Sequence, residues 1–134
     1  MKCSNTVSGD GRYVISTVTG DFAAKEMLAA VLEAYKFAEE HGITRQLADV
    51  TKARNVDSVS RNYDFAYSEF QAVVAIDKRL RVAILVSPDD HSHDFAETVM
   101  QNAGLNVALF RDRDRAIAYL CSPGLNEVRD QPPR

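Results

Sequence analysis

At 134 residues, with 46% hydrophobic residues, the chain has the size and apolar content of one domain built on one core. Its 16 basic and 19 acidic residues leave a formal charge of −3, which excludes the basic footprint of a nucleic-acid binder and a polybasic membrane anchor. Two cysteines, Cys3 and Cys121, make neither a disulfide framework nor a zinc site.

Residues 3–8 and 12–19 flank Gly9-Asp10-Gly11, a connection suited to positive φ, and predict a β-hairpin. From residue 23 to 41 the apolar period changes. Ala24, Met27, Leu28, Val31, Tyr35 and Ala38 follow the three-or-four spacing of a helical face, and Gly42 supplies a C-terminal stop. Residues 46–50 predict a short strand, followed by a polar loop over 51–60. A second helix is expected at 61–78, with Tyr63, Ala66, Tyr67, Phe70, Val73 and Val74 as its apolar stripe.

The run RVAILV at 81–86 predicts a strand covered on both faces, broken by Ser87-Pro88. A third helix carries Phe95, Ala96, Val99, Met100 and Ala103 inward and stops at Gly104. Residues 106–110 predict another buried strand. Asp112 can N-cap a last helix that buries Ala116, Ile117 and Leu120. Residues 1–122 therefore form one α/β domain, and 123–134 read as a flexible tail. The order β-β-α-β-α-β-α-β-α predicts a mixed, mostly parallel five-stranded sheet with about four helices. The strands at 82–86 and 107–110 are expected at its centre. No apolar run approaches the ~18 residues of a membrane span, and the first residues lack the apolar region of a secretion signal. A cytoplasmic protein without membrane insertion is the expectation.

These landmarks resemble the STAS superfamily, specifically its small SpoIIAA-like (STAS/SEC14-type) bacterial members. The residues that carry the resemblance are the hairpin closing at Gly20, the helix ending at His41-Gly42 and the strand LADV ending at Asp49-Val50. RVAILV and NVALFRDRDRAIAYL complete it. The resemblance implies a non-enzymatic regulatory module without cofactor, binding a protein partner or a small apolar ligand, with a homodimer as a further partner expectation. The anti-sigma-factor antagonist branch carries a phosphorylatable Ser or Thr in a pattern similar to Asp-Ser-[Ser/Thr]-Gly-[Leu]. Here Asp57 and Ser58 match, while the glycine is absent and the loop is longer. Ser58 is thus the candidate phosphosite, expected to stay unmodified in a segment kept as a binding surface. That surface comprises Thr51, Lys52, Arg54, Asp57, Ser58, Ser60 and Arg61.

Ligands of open parallel sheets bind beyond the strands' carboxyl ends. Asp49, Ser87 and Arg111 lie at such ends and define the alternative reading, a receiver-like phosphoacceptor or small enzyme. The run Asp89-Asp90-His91-Ser92-His93-Asp94 concentrates metal-ligand types. It has no evident distant ligand, so no tight metal site is expected. There is no nucleophile elbow, phosphate-binding loop or dinucleotide fingerprint, so the expectation is a protein that is not an enzyme.

Overall fold

The structure, a computed structural model, describes residues 1–57 and 79–122. Strands β1 (Lys2–Val7) and β2 (Val14–Phe22) form the hairpin. Helix α1 (Ala24–Glu40), β3 (Arg45–Asn55), β4 (Arg81–Leu85), α2 (Asp94–Asn102), β5 (Asn106–Phe110) and α3 (Arg113–Cys121) follow. The sheet order is β1-β2-β3-β4-β5, antiparallel only between β1 and β2. The mixed five-stranded sheet stands as expected. Three helices lie among the described residues, fewer than the four or so anticipated. The helix expected at 61–78 and the tail at 123–134 fall outside the described residues.

Local chemistry explains the ends. Glu26 reaches back to accept from the Ala23 N–H at 2.9 Å, closing the first turn of α1. Gly42, at φ +66°, takes the left-handed turn that stops the helix. Asp112 caps α3 by accepting from the N–H groups of Asp114 (2.8 Å) and Arg115 (3.3 Å).

Each parallel step adds its strand beside the last, so the sheet grows outward in chain order. For that reason β5 is an edge strand, not a central one as expected, and most of its side chains are only half-buried. One face of the sheet carries Val18, Phe22, Val50, Ile84 and Val107 against Met27, Val31 and Met100 of α1 and α2. The other carries Leu47, Ala83 and Leu85 against Ala116 and Leu120 of α3.

Strand β3 is the second correction. The expected strand at 46–50 runs on to Asn55, so Thr51, Lys52 and Arg54 sit on a strand and not in a loop. The register shifts near Thr51, where Thr17 pairs Asp49 but Thr19 pairs Lys52. This bulge inserts one residue and exchanges the two faces. Ala53 therefore turns into the core beside Val50, while Lys52 and Arg54 are exposed. Beyond Asp49 the β2–β3 pair continues as a two-stranded arm without β4.

Candidate functional site

The carboxyl ends of the strands bring several predicted residues together, in different pairs from those anticipated. Asp49 is held by both oxygens. Oδ1 accepts from the Thr51 N–H (3.1 Å) and hydroxyl (2.7 Å), and Oδ2 meets the Arg113 guanidinium at 2.9 Å. Its side chain is 15% exposed. Ser87 donates its hydroxyl to the Thr51 carbonyl at 2.6 Å, which ties the end of β4 to the bulge. Arg111 turns away from Asp49. It donates to the carbonyls of Pro88 and Asp90, both at 3.1 Å, and lies 3.2 Å from His91 Nδ1. The expected trio of Asp49, Ser87 and Arg111 is not one constellation. Arg113 takes the place foreseen for Arg111, because the first residue of α3 points back over the end of β3.

The acidic and histidine-rich run divides between surface and core. His91 is exposed, 3.1 Å from Asp94. His93 is 3% exposed, with its ring stacked on Phe22 at 5.6 Å. Its Nε2 lies 3.0 Å from the Ala53 carbonyl and 3.4 Å from Asp90 Oδ2. Burial works to raise the Asp90 carboxyl, but the Ser92 N–H and hydroxyl, then His93 and Arg54, outweigh it and hold it below the usual carboxylate value. Ser92 Oγ in turn accepts from the Asn55 N–H at 3.2 Å. The loop after β4 is thereby sewn to the arm of β3. Among the described residues, no group of three or more His, Cys, Asp or Glu side chains gathers as metal ligands would.

What the sewing leaves outward is a short row on the arm. Lys52 and Arg54 are exposed, and Val56, whose N–H still pairs with the Phe22 carbonyl at 2.9 Å, is 58% exposed. Alternation places all three on one side.

No family model matches the chain, and no curated protein matches it. Solved structures do. One is an uncharacterized DUF3478-family protein with a SpoIIAA-like fold from Shewanella loihica, at 21% identity and TM-score 0.51, with 90% of this chain and 93% of that one aligned. Another is an anti-sigma factor antagonist from Mycobacterium paratuberculosis, at 11% identity and TM-score 0.55, over 90% and 96% of the two chains. The fold is SpoIIAA-like.

On this SpoIIAA-like frame the expected binding residues separate. Thr51 is half-buried and spent on Asp49, Lys52 and Arg54 face outward, and Asp57 accompanies Asn55, whose Oδ1 accepts its N–H at 3.0 Å. Ser58, Ser60 and Arg61 lie outside the described residues. Two arginines that the sequence reading passed over hold the opposite end. Arg81, 7% exposed, donates to the carbonyls of Tyr119 (2.9 Å) and Ser122 (2.6 Å) and to the Ser122 hydroxyl (3.0 Å). Arg45 donates to the carbonyls of Leu120 and Ser122. Both cations sit where the negative end of the α3 dipole and its free carbonyls need donors. No helix among the described residues is long and apolar enough to cross a membrane.

Proposed function

We propose that the chain is a non-enzymatic, STAS-like regulatory module that works by docking a protein partner on the outward row of the β3 arm. The observation that carries this reading is the separation of engaged from exposed groups. Asp49, Ser87 and Arg111 are each engaged within the fold, whereas Lys52 and Arg54 stand exposed on β3 with Val56 exposed just past its end. A phosphoacceptor or catalytic carboxylate needs a reactive oxygen open to substrate, and both oxygens of Asp49 are occupied. Two cations followed by an apolar side chain suit a partner that offers carboxylates beside an apolar side chain.

The likeness to an anti-sigma factor antagonist supports a protein as the partner class. A small apolar ligand is the less favoured occupant. The apolar cavity lined by Met27, Val31, Val82 and Met100 measures ≈ 60 Å³, far below the ~300 Å³ at which ligand sites begin. The larger cleft of ≈ 490 Å³ beside Tyr35 and Gly42 is lined by Glu39, Thr44 and Arg79 as well as by apolar residues, which does not suit an apolar ligand. Ser58 stays unmodified in this reading, since the glycine of the antagonist pattern is missing.

The test is crosslinking in the native cells, followed by mass-spectrometric identification, for the wild type and a Lys52→Glu/Arg54→Glu variant. A partner recovered with the wild type should disappear with the variant while the melting temperature moves little, because both residues are exposed. A partner retained undiminished by the variant would move the docking surface elsewhere.

A further inference from the structure

The two edges of the sheet are treated differently. On β5 the outer main-chain groups are occupied by its own crossover helix. Gln101 donates to the Val107 carbonyl at 2.8 Å, and Glu97 accepts from the Leu109 N–H at 2.7 Å. These residues are four apart, so one face of α2 guards the edge. Such cover is a standard defence against strand addition.

Among the described residues, strand β1 has no such cover. The Ser8 N–H donates to the Tyr13 carbonyl at 2.8 Å, and Val7 stands opposite Val14. Antiparallel alternation then directs the main-chain groups of Lys2, Ser4 and Thr6 toward β2, and those of Cys3, Asn5 and Val7 outward. Among the described residues, nothing hydrogen-bonds these outward groups. The strand also lacks the usual deterrents, since it contains no proline and its one charge, Lys2, stands at its end.

We infer that β1 is a homophilic edge, on which the β1 strand of a second copy pairs antiparallel about a two-fold axis through Asn5. Only this centring uses Cys3, Asn5 and Val7 together. It sets Cys3 opposite Val7, Ser4 opposite Thr6, and Asn5 opposite itself. Lys2 faces Ser8, so no like charges meet. Ser4 and Thr6 are exposed on one face of the strand, where hydroxyl pairs across strands are favourable. Asn5 is already held, with its Oδ1 accepting from the Ser16 hydroxyl at 2.6 Å. The contact is isologous, so it closes at two copies and does not propagate. One six-residue strand from each copy buries less than a standard stable interface, which makes the dimer weak and concentration-dependent. This inference is independent of the partner surface on the β3 arm.

Sedimentation velocity over a concentration series, read with amide hydrogen exchange, tests it. The wild type should shift from 14.9 kDa toward twice that mass, with exchange slowing at Cys3, Asn5 and Val7 as concentration rises. The exposed double substitution Ser4→Lys/Thr6→Lys sets cations opposite each other at two places. It should abolish the shift with an unchanged melting temperature, while Ser4→Gln/Thr6→Gln retains it. A wild type that stays at 14.9 kDa throughout, or a dimer that the lysine variant leaves intact, overturns the inference.

Discussion

The two ends of the sheet use charge in opposite ways. At the amino ends of β3 and β4, Arg45 and Arg81 are neighbours in register and both are drawn onto the closing carbonyls of α3. Among the described residues no carboxylate pairs with Arg81; the helix end itself supplies the negative potential. At the carboxyl ends, charged and polar side chains tie loop to strand through Asp49–Arg113, Arg111 and the Asp90–His93 pair. The first end closes the fold. The second also closes it, yet leaves Lys52 and Arg54 exposed on a projecting arm. Buried charge here is architecture, and the exposed remainder is what the proposed docking would use.

The largest expected effect tests the amino end. Arg81→Met keeps an apolar stem but removes three donated hydrogen bonds and leaves the α3 carbonyls short of donors. A loss of roughly 2–4 kcal/mol in urea unfolding is expected for a buried network broken on one side. Arg45→Met should cost less, and the double variant more than the sum, because either guanidinium alone still leaves the Ser122 carbonyl a donor and only the double variant orphans it. Additive losses would show that the two cations act separately.

Why one end was legible and the other was not is a matter of pattern. Alternation and helical spacing are local, so the hairpin, α1, β4 and α3 stand close to where the residues put them. Asp112 reads as a cap because a cap is defined within three residues. Arg81 opens an apolar run and looks like a strand's polar boundary; its partners lie 38 and 41 positions away, beyond any local signal. The arm of β3 reads as a loop because its residues are polar, although Lys52-Ala53-Arg54 already alternates in the strand period. Asp49 was matched with the wrong arginine, since strand-end position says nothing of which side chain reaches back. His93 was grouped with His91 on composition, and only the packing against Phe22 separates them.

The next effect lies at the carboxyl end. His93→Ala removes a buried ring from Phe22 and the contact with the Ala53 carbonyl, loosening the seam between the β4 loop and the β3 arm. A loss of about 2 kcal/mol is expected from the cavity and the unpaired carbonyl together. Hydrogen exchange should quicken first at Asn55 and Val56, whose N–H groups bond Ser92 and Phe22. Global destabilisation with no local change there would mean that the arm does not depend on this seam.

The smallest effect returns to the amino end, at the hairpin tip. The Ser8 hydroxyl, then the Arg12 side chain and N–H, hold the Asp10 carboxyl down, from an ordinary 3.8 to about 2. A carboxylate depressed in the folded state stabilises it above the unfolded value, and that contribution is lost as pH falls through the folded value. The window therefore runs from roughly pH 4 down to roughly pH 2. Asp10→Asn keeps the shape and an acceptor oxygen while deleting the charge. It should be slightly less stable than the wild type at neutral pH, and the gap should narrow through that window and close below it. The side chains of Asp10 and Arg12 are well exposed, so water screens their ion pair and the difference is expected to be small. Thermal melts at stepped pH decide the matter. A gap that stays constant down to the lowest pH would assign the effect to the turn's geometry and not to its charge, leaving the work of the amino end to Arg45 and Arg81.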